Sequence, residues 1–138
     1  MATIITPRPP LNLFEVARLN VTSSYQNIYD VPEYEIPASG PNPQRTVDAA
    51  AIITNLIISN AGTTTIDVSI KIINAANQEF IIANKLPVFA FDFATIGVER
   101  QVLKSGERIQ AKVEAGQSGV AMMSFVLNQR EEFTEIAP

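Results

Sequence analysis

The chain has 138 residues, room for one domain with a real hydrophobic core and little more. It holds no cysteine, no histidine and no tryptophan, which excludes disulfides, thiolate metal sites, and the commonest general base and metal ligand. Net charge is −4 with ten scattered basic residues, which argues against nucleic acid, and charged residues are only 17%, which leaves part of the exterior to be covered by protein rather than water.

The elements follow in chain order. Residues 1–12 carry Pro7, Pro9 and Pro10, which fix φ and lack a backbone donor, so an extended arm is predicted. It reads either as a disordered terminus or as an arm that orders against a neighbouring subunit, for which Ile4, Ile5, Leu11 and Leu13 supply apolar anchors. The opening residues have neither the basic nor the long apolar region of a secretion signal, so synthesis in a cytoplasm is expected. No stretch is long and apolar enough for a membrane span, and no membrane partner is expected. Residues 13–19 and 25–31 read as strands, the second ended by Pro32. Residues 33–45 hold Pro37, Gly40, Pro41 and Pro43 and read as a long loop or second arm, with Tyr34 and Ile36 as further anchors.

The core signal comes next. Residues 48–59 are apolar, with Ile52, Ile53, Ile57 and Ile58 β-branched and no period of a helix, so a strand is predicted. Residues 63–74 alternate cleanly, with Ile66, Val68, Ile70 and Ile72 against Asp67, Ser69 and Lys71. Residues 79–85 form the next strand, ended by Pro87, and residues 98–103 a short one. Residues 108–114 place Ile109, Ala111 and Val113 inward. Residues 120–127 are apolar on both faces, as in a strand that is central or lies under a partner chain, so Met123 and Phe125 are candidate contact residues. Residues 128–138, with Phe133, read as a helical turn or trailing arm.

Short strands joined by regularly spaced turns indicate an all-β fold, an antiparallel two-sheet sandwich of jelly-roll type with an extended N-terminal arm. The expected division is an arm over 1–12, the sandwich over 13–127 and a tail over 128–138.

Catalytic constellations are scarce. No glycine-rich phosphate motif is present, and no nucleophile can pair with histidine. Lys104 and Ser105 are adjacent in a turn and point apart. The acidic groups Asp30, Glu33, Glu35 and Glu131, Glu132, Glu135 read as solvated charge, since a hard cation wants several oxygens converging from one loop. Phe89, Phe91 and Phe93 form a stripe at period two, read as core packing in preference to a stacking platform for sugars. No enzyme activity, cofactor or metal is expected.

Several segments carry a family likeness: Tyr29-Asp30-Val31-Pro32, Leu56-Ile57-Ile58-Ser59-Asn60, Ile66 to Ile72, Leu86-Pro87-Val88, and Leu103-Lys104-Ser105-Gly106-Glu107-Arg108-Ile109. Over roughly residues 25–127 the chain resembles small β-sandwich virion structural proteins of tailed bacteriophages, marine and cyanobacterial ones in particular. It departs from them in the swollen segment 36–45 and the proline-rich arm, both of which look like devices for gripping neighbours. The resemblance implies a repeated subunit of a particle, at the capsid surface, neck or tail. Its partners would be other virion proteins and copies of itself, as a homo-oligomer or bound to a lattice, and it carries over no catalytic residue. Contact residues are expected at Ile4, Ile5, Pro7, Pro9, Pro10, Leu11, Tyr34, Ile36, Pro37, Pro41, Pro43, Met123, Phe125 and Phe133. The rival reading is a carbohydrate- or receptor-binding module that uses Tyr25, Tyr29, Tyr34 and the phenylalanines.

Overall fold

Alternation of apolar and polar residues builds strands here and nothing else: among the described residues there is no helix. The structure, a computed structural model, describes residues 11–32, 34–36 and 45–133. The strands are β1 (Leu11–Val21), β2 (Gln26–Asp30), β3 (Tyr34–Ile36), β4 (Arg45–Asn60) and β5 (Ile66–Ile73). They continue with β6 (Glu79–Val88), β7 (Asp92–Thr95), β8 (Val102–Lys104), β9 (Arg108–Val113) and β10 (Gly119–Phe133).

All pairing is antiparallel, in two sheets. The larger runs β1-β10-β4, with β3, β8 and β7 placed end to end along the far edge of β4. The smaller runs β2-β9-β5-β6. The pairings nest: β1 with β10, β2 with β9, β4 with β7 and β8, β5 with β6. A chain paired this way is one long hairpin, its tip at the β5–β6 turn, rolled so that alternate arms fall in opposite sheets. That is jelly-roll topology. At the tip Asn74 Oδ1 accepts from the N–H of Ala76 and of Gln78, at 3.0 and 2.9 Å, which closes the turn.

The core fills the space between the sheets. Ile66, Val68, Ile70 and Ile72 on β5, and Ile109, Ala111 and Val113 on β9, face Ala121, Met123, Phe125 and Leu127 on β10. On β4 the inward series is Ala49, Ala51 and Ile53, then Leu56, Ile58 and Asn60, so its parity changes midway. Phe125 lies opposite Ile53 and Ser124 opposite Asn55, which leaves Thr54 as an extra residue in a bulge. Its hydroxyl donates to the carbonyl of Ser124 at 3.0 Å.

Buried polar groups tie connections to strands. Asn60 Nδ2 donates to the carbonyls of Thr64 and Val88, at 2.8 and 3.0 Å, and its Oδ1 accepts from the N–H of Gly62 at 3.0 Å. Ser105 Oγ donates to the carbonyl of Ala49 at 3.1 Å and accepts from the same residue's N–H at 2.8 Å. Ser105 therefore anchors the turn after β8 to β4, and its hydroxyl is committed to structure.

The structure corrects several sequence expectations. Leu11 and Asn12 belong to β1, and β10 runs past Leu127 to Phe133, so the residues read as the end of an arm and the start of a tail are strand. The predicted strand 98–103 shrinks to Val102–Lys104, because Arg100 turns with φ 69°. Strand β7 went unread, since it lies inside the phenylalanine stripe. Pro87 sits within β6 rather than ending it. That is permitted because β6 is an edge strand and needs no further donor.

Candidate interaction surfaces

The two outer faces of the sandwich differ in character. On the smaller sheet the face is mainly polar, with Ile81 of β6 exposed beside Lys71. Lys71 Nζ pairs with Glu79 Oε1 at 2.8 Å, and Gln110 Nε2 donates to Asn27 Oδ1 at 2.8 Å. The ring of Tyr25 lies under Lys71 and Lys112, whose ammonium groups are 4.1 and 5.0 Å from its centroid. This is a face built for water.

On the larger sheet the outer face alternates apolar rows with polar ones, Asn12, Asn128, Ala50 and Lys104 forming one polar row and Val16, Ser124 and Asn55 a mixed one. Residues directly opposite in neighbouring strands share a face. The register therefore lines up Phe14 of β1, Val126 of β10, Ile52 of β4 and Val102 of β8 in one apolar row across four strands. Two further rows are Arg18, Met122, Ile57 and Thr95, and Asn20, Val120, Ser59 and Phe93. Phe14 is 87% exposed and Val16 50%. Ile52 and Val102 are exposed as well. Of the residues in these last three rows only Arg18 is charged.

The connections β1–β2, β4–β5, β6–β7 and β9–β10 gather at one end of the roll. Three bonds hold them: Val113 N–H to the carbonyl of Thr22 at 2.9 Å, Asp67 N–H to Gln117 Oε1 at 2.8 Å, and the Asn60–Val88 bond. At this end Phe89 is 65% and Phe91 76% exposed. The expectation that Phe89, Phe91 and Phe93 pack in the core is therefore overturned. Phe93 points outward because Ala94, the next residue of β7, is the one turned to the core. Phe89 and Phe91 lie in the turn before it, closed by Asp92 N–H to the carbonyl of Phe89 at 3.2 Å. Phe91 has φ 58°, a left-handed conformation unusual for a bulky side chain. Beside Phe93 the residues Asn20, Val21, Thr22, Ser59, Ser118 and Gly119 border a cleft of about 540 Å³ that carries no charged side chain.

The predicted contact residues divide. Met123 and Phe125 lie in the core at 0% and 3% exposure, so they are not available to a partner. The alternating pattern made both faces of β10 look alike, and only the packing of the second sheet shows which one is covered. Leu11, Tyr34, Ile36 and Phe133 lie in strands, paired with Gln129, Val47, Arg45 and Arg45 respectively. Ile4, Ile5, Pro7, Pro9, Pro10, Pro37, Pro41 and Pro43 lie outside the described residues. Composition could not single out Phe14, Val126, Ile52 and Val102, because it takes the register to place them side by side.

Among the described residues no three acidic side chains gather where a cation could sit. One pKa shift stands out. Burial pushes the Tyr29 phenol above its ordinary value of 10.0, and the carboxylates of Glu15 and Asp30 add to the effect.

No family model matches the chain. No curated protein matches it. Among solved structures it is similar to a chain of the T13 particle of infectious bursal disease virus, at 7% identity and a TM-score of 0.39, over 96% of this chain and 38% of that one. A chain of the Gt strain gives 8% and 0.36 over 94% and 38%, and one of the Gx strain 11% and 0.34 over 96% and 39%. The chain spans under two fifths of the length of these viral chains.

Proposed function

We propose that the chain is a structural subunit of a virion, a jelly roll that acts by contact with other protein chains and not by catalysis. The observation that carries this is the contrast between the two outer faces, one polar and bridged by side-chain bonds, the other an apolar row running unbroken over four strands. Soluble monomers seldom expose apolar patches beyond a few hundred Å². The outer face of the larger sheet is four strands wide and at least as long as the 11 residues of β1. At ~4.8 Å between strands and ~3.3 Å per residue the whole face, polar rows included, is roughly 700 Å². A standard interface takes about 800 Å² from each partner.

The place in the particle follows the motif likeness to tailed-phage proteins: a capsid decoration, neck or tail accessory subunit, made in the host cytoplasm. The arm and the segment 37–44 are further grips in this reading. Deleting residues 1–10 stops short of β1 and tests the arm alone.

The test is a pair of variants, Val126→Lys on the apolar face and Gln110→Ala on the polar face. Both should fold, as read by circular dichroism and melting temperature. Val126→Lys should lose incorporation into particles, while Gln110→Ala keeps it. A folded Val126→Lys protein that incorporates normally refutes the reading.

A second reading has its own observation. The neutral hydroxyl- and amide-lined cleft includes Ser59, the strand partner of the exposed Phe93, which suits a sugar ring stacked on an aromatic face. Two of the tyrosines, Tyr29 and Tyr25, do not serve it, and the side chain of Tyr34 lies outside the described residues. Tyr29 stacks on Phe125 in the interior and Tyr25 is occupied by two lysines. Glycan binding that is lost in Phe93→Ala would favour this module over the lattice subunit.

A further inference from the structure

Of the strands that end a sheet, β1 is the one left open. Strand β6 contains Pro87, has Lys85 at φ 53°, and breaks register twice against β5. Such features blunt an edge against pairing. Strand β2 is 5 residues long and slips register against β9, and β3, β8 and β7 are 3, 3 and 4 residues long. Strand β1 has 11 residues, no proline and no glycine, and pairs with β10 without a single shift. Among the described residues no strand pairs with its other side.

The sequence of β1, Leu-Asn-Leu-Phe-Glu-Val-Ala-Arg-Leu-Asn-Val, also reads nearly the same in both directions about Val16. An antiparallel pair of identical strands related by a two-fold axis sets each residue i against residue 2c−i of the other copy, where c is the residue on the axis. Keeping the cores of both copies on the same side of the sheet requires c to fall on a residue. Centred on Val16, Asn12 meets the partner's Asn20, Leu13 the partner's Leu19, Phe14 the partner's Arg18, and Glu15 the partner's Ala17. No like charges are directly opposed. The exposed ring of Phe14 gains a cation on its free side. Centred one residue earlier, Glu15 would sit directly on Glu15; centred one later, Glu15 would face the partner's Leu19 and Phe14 the partner's Asn20.

We propose that two copies of this chain join edge to edge through β1, antiparallel and centred on Val16, to make one continuous sheet across the dimer. The contact is isologous, with one surface serving both sides. It runs the Phe14–Val126–Ile52–Val102 row of each copy into the partner's Arg18–Met122–Ile57–Thr95 row, so it rests on the assembly reading above and specifies its first step. Diagonal across the axis, the two Glu15 residues lie ~7–8 Å apart along the ladder, within reach of each other's charge, so the pairing predicts that Glu15→Gln tightens the dimer.

The absence of cysteine makes the test clean. Single variants Val16→Cys, Phe14→Cys, Arg18→Cys and Ile52→Cys are made in the full chain and oxidised or treated with a short bis-maleimide. Val16→Cys should give a covalent dimer and the other three should not, whereas mixed Phe14→Cys and Arg18→Cys should link to each other. Independently, Val16→Lys should abolish the dimer seen by sedimentation, with Val16→Thr retaining it. Equal cross-linking at all four sites, or none at Val16, overturns the edge pairing. The assembly reading fails separately, on normal particle incorporation of Val126→Lys.

Discussion

Tyr29 of β2 and Phe125 of β10 stack across the sandwich, with ring centroids 4.3 Å apart and planes tilted by 43°. The pair joins an edge strand of the smaller sheet to the central strand of the larger one. Phe125 has almost no exposed surface, and beside it Glu15 of β1 is its opposite residue in the ladder. Removal of this ring leaves a cavity between the sheets that a rolled, doubly paired strand cannot collapse. Phe125→Ala should cost about 3–5 kcal/mol, measured by denaturant unfolding. A loss under about 1 kcal/mol would mean that the ring contributes little to the core.

The phenol of Tyr29 gives a pH dependence with a definite sign. Its folded pKa lies above 10.0, chiefly because burial disfavours the phenolate, with Glu15 and Asp30 adding repulsion. Above the unfolded value the unfolded chain releases this proton while the folded chain keeps it. Stability is therefore full below about pH 10 and falls as pH rises from there towards the folded pKa. Ultraviolet titration of the three tyrosines should show one late phase that Tyr29→Phe removes. The variant should also unfold less readily in alkali than the parent.

Phe91 holds a strained backbone at an exposed tip. A non-glycine residue in the left-handed region costs on the order of 1–2 kcal/mol, and here the side chain has little packing to offset it. Phe91→Gly should raise stability by about 1 kcal/mol, read as a higher melting temperature. If the ring anchors a partner, the same change should weaken particle incorporation or glycan binding. A drop in stability would show that the ring packs on its own loop.

Much of the architecture could be read from residue order. On β5 and β9, alternation predicted both strand and inward face, cleanly on β9 and less so on β5, where Ser69 and Ile73 are buried on the outward side as well. On β4 the same logic blurred, since the Thr54 bulge shifts the inward series from Ala49, Ala51 and Ile53 to Leu56, Ile58 and Asn60. An inserted residue flips every later side chain, and alternation cannot reveal whether a series has been flipped or was never there. For the contact surfaces the sequence singled out β10 and named Met123 and Phe125, which the second sheet covers.

By itself the sequence determined the class of the protein. Absent histidine and cysteine left no imidazole or thiolate, and the spacing of turns dictated antiparallel strands, because each is a local property of the chain. Tertiary structure alone decided which apolar residues meet. Phe14, Val126, Ile52 and Val102 are separated by tens of residues, and only the rolled hairpin sets them in one row. The exposure of Phe89, Phe91 and Phe93 was decided the same way. A phenylalanine in a strand-like pattern has no local signal for inside or outside until the opposing sheet takes one side.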